Sequence, residues 1–175
     1  MTRILNRIVR AAILDPELYE EVEADRSASG QAMVVVVLSS LAAGIGSIET
    51  VGPGGIFLGT IIALIGWFVW AYLTYLVGTK LLPEPSTDAD TGELLRTIGF
   101  ASSPGLIRVL GVIPGLRVVV FPLAAVWMLV AVIIAVRQAL DYQSTIRAVG
   151  VCAVGWIVQV LVLVVLFYVL GVREI

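Results

Sequence analysis

Charge is scarce in this chain and histidine is absent. Of 175 residues, 14% are Asp, Glu, Lys or Arg, and the single cysteine is Cys152. One cysteine excludes a disulfide within the chain. The lack of histidine excludes a His-based catalytic triad and the usual mixed zinc sites. A formal net charge of -2 offers no basic field for nucleic acid. No phosphate loop, acid pair or activated nucleophile is present, and no cofactor is expected. Ser102 and Ser103 have no base nearby in sequence, and a Ser–Lys dyad would have to use Lys80, the only lysine. The chain reads as a protein without catalysis.

What is abundant is apolar surface. Hydrophobic residues make up 59% of the chain and the mean hydropathy is +1.04, whereas a soluble domain carries roughly 25% charged residues. A globule of this size cannot hide that much apolar surface from water. A spanning helix needs about 20 mostly apolar residues. Segments 56–80, 117–138 and 145–172 satisfy this, and 31–48 is slightly short but uncharged. Segment 93–114 is ambiguous because it holds Arg96, Ser102, Ser103, Pro104 and Arg108. It reads either as a span whose two arginines snorkel to opposite headgroup layers or as an amphipathic helix lying flat.

The basic residues choose between these. With five spans and the N-terminus inside, Arg3, Arg7, Arg10, Arg26, Lys80, Arg96, Arg137 and Arg147 lie inside, against Arg108, Arg117 and Arg173 outside. That places 8 of the 11 inside; four spans would reduce the split to 6 against 5. The positive-inside rule favours five. The predicted fold is an all-α polytopic membrane bundle of five transmembrane helices (residues 30–175), preceded by short amphipathic helices (residues 1–29). The N-terminus is expected in the cytoplasm and the C-terminus outside the cell membrane. Arg7 and Arg10 interrupt the apolar start, so a cleaved signal peptide is not expected and the first span serves as anchor. Connection 82–90 reads as a stiff, acidic turn.

At about 100° per residue, Ile4, Leu5, Ile8, Val9 and Ala12 share one helix face, opposite Arg3, Arg7 and Arg10. Such a helix lies in the headgroup plane and attracts anionic lipid, unless its charge merely sets topology. Asp15-Pro16-Glu17 reads as the capped start of a second helix, to about residue 26. Its acids Glu17, Glu20, Glu21, Glu23 and Asp25 read as a solvated face or a contact for a basic partner. Gly55, Gly59 and Ala63, and Gly111 with Gly115, follow the small-xxx-small pattern, for packing within the bundle or between copies in a homo-oligomer. Pro104, Pro114 and Pro122 should kink helices. Polar groups at depth are few: Ser39, Ser40, Thr60, Thr74 and Gln159. Trp67, Trp70, Tyr72 and Tyr75 read as belt residues.

Several short motifs appear in a telling order: Asp15-Pro16-Glu17-Leu18-Tyr19, Ala32, Ile98-Gly99-Phe100-Ala101-Ser102-Ser103-Pro104, Trp127, Gln138-Ala139-Leu140 and Ser144-Thr145-Ile146-Arg147-Ala148. In order and spacing they resemble the Yip family (Ypt/Rab-interacting protein) of integral membrane proteins, and the prokaryotic branch in particular. The resemblance implies five spans with the N-terminus inside. In eukaryotes the family binds prenylated Rab-type GTPases and shapes or sorts early secretory membranes. That branch's long N-terminal region is not expected here, and its Asp-Leu-Tyr-Gly-Pro stretch does not occur before the first span. The reading is a scaffold or membrane organiser binding lipid, other membrane proteins or, by family analogy, a small GTPase. The alternative is a small transporter or permease component with a cavity among the proline-kinked helices.

Overall fold

A computed structural model describes residues 2–169; the end of the fifth predicted span (170–172) and Arg173 lie outside them. Helices are the only regular elements among the described residues, with no strand. Seven α-helices follow in order: α1 (Thr2–Ala12), α2 (Pro16–Ala24), α3 (Ala28–Gly46), α4 (Ile48–Leu76), α5 (Thr91–Phe100), α6 (Arg117–Ala139) and α7 (Thr145–Val169). A π-helical turn (Val77–Leu81) closes α4, and a 3-10 segment (Ser103–Val112) joins α5 to α6.

Local chemistry sets most boundaries. Asp15 caps α2 by accepting from Glu17 N at 3.0 Å, with Pro16 in the first helical position. Asp90 and Glu93 form a reciprocal capping box at α5, with bonds of 2.9 and 2.7 Å. Near its start, α4 breaks at Gly52 (φ 64°), just before Pro53. Only glycine adopts that backbone at little cost.

Among the described residues three helices are long and apolar enough to cross a membrane: Arg26–Gly46, Ile48–Leu81 and Arg117–Ala139. Their outward faces carry exposed Phe57, Leu58, Ile62, Val118 and Val126, an apolar belt that water would not tolerate. This is a membrane protein. The expected continuous helix over 93–114 is absent. A proline clashes with the carbonyl four residues earlier; for Pro104 that residue is Phe100, where α5 ends.

The broken segment nevertheless traverses the bundle. At one end Arg117 donates to Thr50 Oγ1 at 3.1 Å, joining the starts of α4 and α6. At the other, Tyr142 donates to the carbonyls of Gly78 (2.9 Å) and Leu82 (2.5 Å), joining their ends. Helices α4 and α6 therefore run parallel, and residues between them must pass from one end of the bundle to the other. They do so along α3. A Cβ on Gly99 would lie 2.8 Å from that of Ala32; one on Gly105 would collide with Ser39 Oγ; one on Gly111 would lie 2.7 Å from the Gly46 carbonyl. Ala32, Ser39 and Gly46 are two α-turns apart, about 10.5 Å per step. From Gly105 to Gly111 is two 3-10 turns, about 12 Å. The two ladders stay in step because the narrower helix turns once per three residues. Among the described residues the third pass along the bundle, alongside α3, is thus made without a continuous α-helix.

Candidate functional site

Two places concentrate the polar chemistry: a collar formed by α1, α2 and α5, and a groove between α3, α4 and the later helices.

In the collar, the basic face of α1 turns to the acids of α2. Arg7 donates from Nε and Nη2 to Glu21 Oε1 at 2.9 and 2.8 Å, from Nη2 to Asp25 Oδ2 at 2.8 Å, and from Nη1 to Gln31 at 3.1 Å. Its side chain is 1% exposed. Arg10 pairs with Asp15 at 2.7 Å and Glu21 at 2.6 Å. Only Arg3 remains free to meet its surroundings, 69% exposed with a 3.5 Å contact to Asp25. The expectation that Arg3, Arg7 and Arg10 meet lipid together thus gives way, because α2 supplies carboxylates a few ångströms away. The Ser27 hydroxyl and Arg7 hold the Asp25 carboxyl down at about 2, and Arg7 also lowers Glu21.

The apolar face of α1 divides. Ile8 and Ala11 are buried and Ile4 packs against them, while Leu5, Val9 and Ile13 form an outward ridge, 57%, 58% and 68% exposed. These three stand four apart, one above the other. Trp127 on α6 fastens the end of α1 by donating from Nε1 to the Ala12 carbonyl at 2.8 Å.

Arg96, expected to snorkel, is 5% exposed and caps α2 instead. Its Nε donates to the carbonyls of Val22 (2.9 Å) and Glu23 (3.0 Å), and its Nη2 also reaches Glu23 O. Those carbonyls carry the negative end of the helix dipole. Beside them Glu23 Oε2 is buried without a hydrogen-bond partner among the described residues. Burial, followed by Asp141, Glu20 and Glu93, pushes this carboxyl up to about 8 against the pull of Arg96.

The groove has a volume of about 530 Å³. Ser39, Ser40, Ser47, Ser102, Arg108 and Gln159 give it polar walls. Gly66, Trp67, Trp70, Ile98 and Val132 give it an apolar end. Arg108 does not snorkel. Its own carbonyl lies against Gly46, yet its Nε donates back to Gly105 O (3.0 Å) and its Nη2 to Ser39 O (3.2 Å) and Ser39 Oγ (2.9 Å). The side chain thus runs back along the segment, and the guanidinium sits about one 3-10 turn, roughly 6 Å, from the level of its own carbonyl. No carboxylate pairs with it among the described residues.

The predicted packing residues fall in different settings. Gly55 and Gly59 line the groove, and beyond Gly59 there is nothing within 4 Å. Gly111 is in tight contact with Gly46. Gly115 (φ 84°) sits in the exposed turn before α6 with open space around it. Pro104 is buried at the break, and Pro122 is exposed within α6. Sequence reasoning missed the Ser39–Arg108 pair and the ladder of Gly99, Gly105 and Gly111. Their signal is glycine every six residues, which an α-helical period does not pick out.

Neither the curated proteins nor the solved structures compared with this chain include a match. A family model, the Yip1 domain, matches residues 11–167, a stretch running from the end of α1 through the collar and the helices after it into α7. With most of its length matched, the chain belongs to the Yip1 domain family.

Proposed function

We propose that this Yip1-domain protein is a non-enzymatic membrane organiser whose α1 lies among lipid headgroups on the cytoplasmic side. On this reading each of the five passes crosses the bilayer, with α5 and the 3-10 segment together making the third. The K/R distribution supports that orientation.

One observation carries the reading: α1 presents Leu5 and Val9, continued by Ile13, while Arg7 and Arg10 are taken up by Asp15, Glu21 and Asp25 and only Arg3 stays free. A helix held to the surface by charge would present all three arginines to lipid. This one presents an apolar ridge, whose transfer from water contributes roughly 1.5–3 kcal/mol per side chain. Held rigidly by Trp127 and the ion pairs, the ridge displaces lipid in one leaflet only, which favours curvature.

Nitroxide labels at Val9→Cys and Arg3→Cys, in a Cys152→Ala background reconstituted in vesicles, test this. The label at position 9 should be reached by oxygen and shielded from an aqueous nickel reagent, and position 3 should show the reverse. A water-accessible position 9 overturns the reading. A small transporter or permease component is the second reading, favoured by the polar-walled groove. Solute flux through proteoliposomes that Gly66→Leu abolishes would carry it.

A further inference from the structure

The groove holds a cation with no counter-charge. Arg108 spends Nε and Nη2 on neutral acceptors, and its Nη1 donates no hydrogen bond among the described residues. A guanidinium turned inward between apolar helices is costly unless an anion joins it. The lining of the groove offers the hydroxyls of Ser39, Ser40 and Ser102 and no acid.

The groove is polarised along its length. Ser40 and Ser47 lie toward the α3–α4 turn, and Trp67, Trp70 and Val132 lie toward the other end, where Gln159 is the one strongly polar side chain in the lining. From Val51 to Trp70 its α4 wall covers about 28 Å, close to the thickness of bilayer hydrocarbon. Along that wall Gly59 and Gly66 leave open space where side chains would stand. A polar half with an unpaired cation and an apolar half with two indoles match an amphiphile with an acidic head. The volume falls within the ordinary range for ligand sites.

We infer that the groove binds one acidic phospholipid, its phosphate on the Arg108 guanidinium and one acyl chain along Gly59, Gly66, Trp67 and Trp70. Arginine suits this task because its planar fork gives parallel donors to phosphate oxygens. The head lies against the hydroxyls of Ser40 and Ser47, and the tail leaves the groove laterally into the bilayer.

The test uses the full chain reconstituted into vesicles of equal phosphatidylglycerol and phosphatidylcholine, gently extracted, with retained lipid measured by native mass spectrometry. The expected result is one tightly held phosphatidylglycerol per chain, enriched about tenfold over phosphatidylcholine, the scale of one charge-assisted hydrogen bond. Arg108→Gln should remove the preference. Because Arg108 also ties the 3-10 segment to α3, Gly66→Leu serves as a second variant. It fills open space, raises helix propensity, and should reduce retention of either lipid. Excess inorganic phosphate should not displace the bound lipid. Equal retention of the two lipids, a preference that survives both variants, or displacement by phosphate alone would each overturn the assignment. So would a groove that passes a polar solute with no lipid held in it.

Discussion

Arg96 donates to the Val22 carbonyl at 2.9 Å across 74 residues of sequence, and this one contact locks the end of α2 to α5. The side chain is buried, so its removal leaves the Val22 and Glu23 carbonyls facing a void. Arg96→Ala should lower stability by about 2–3 kcal/mol, the cost of losing charged hydrogen bonds in a buried setting. Denaturant unfolding in detergent measures it. Arg96→Lys should recover only part, since an ammonium cannot reach two carbonyls from one planar fork.

Glu23 makes the same junction sensitive to pH. Its carboxyl is raised from 4.5 to about 8, by burial first and then by Asp141, Glu20 and Glu93, with Arg96 opposing. A carboxyl raised on folding binds more protons in the native state than in the unfolded one between those two values. The Glu23 contribution to stability is therefore most favourable below pH 4.5 and falls as pH rises towards 8. Glu23→Gln should flatten that slope and stabilise the protein at pH 8 by on the order of 1 kcal/mol. Unfolding curves for both proteins between pH 5 and pH 8 decide it, and parallel slopes would contradict it.

The neighbouring Arg7 cluster responds in the opposite sense. Asp25 is depressed from 3.8 to about 2 and Glu21 is also lowered, so their contribution is present above their unfolded values and lost on acidification. Arg7→Ala removes the buried guanidinium from between the partly exposed Glu21 and Asp25 and should destabilise the protein at neutral pH by about 1–2 kcal/mol. The same substitution should cost far less near pH 2, where the acids are neutralised. Amide exchange in α1 should quicken in the variant at neutral pH, because the helix loses its tie to α2.

How far the sequence could be read depended on the range of the interactions. Local signals sufficed for α2, where Asp15 and Pro16 sit in consecutive positions, and for apolar runs such as α6. The interruption of 93–114 was visible in Pro104, but its outcome was not, because the 3-10 path is chosen by contact with α3. The destination of Arg7 was hidden for a similar reason. A basic face on one short helix and an acidic face on the next each look solvated alone, and only the turn at residues 13–15 brings them together. Arg96 and Arg108 were judged by position near segment ends, where snorkelling is the common outcome. Both instead meet backbone carbonyls that no linear pattern reveals.

Glycines offer the sharpest separation between motif and geometry. Gly55-xxx-Gly59 matches the pattern of close helix contact, yet a Cβ on Gly59 meets nothing within 4 Å. Gly105 belongs to no Gly-xxx-Gly pair, yet its Cβ would collide with Ser39 Oγ and lie 2.7 Å from Arg108 Nη2 and 2.8 Å from Met128 Sδ. Gly59→Ala should thus leave the bundle intact and stabilise it by up to about 1 kcal/mol through helix propensity. Gly105→Ala must push the 3-10 segment off α3 and should cost about 1–3 kcal/mol, the usual penalty of overpacking. The displaced guanidinium would also lose its bonds to Ser39. Thermal unfolding in one detergent ranks the two, and a Gly59→Ala protein less stable than Gly105→Ala would contradict the packing described here.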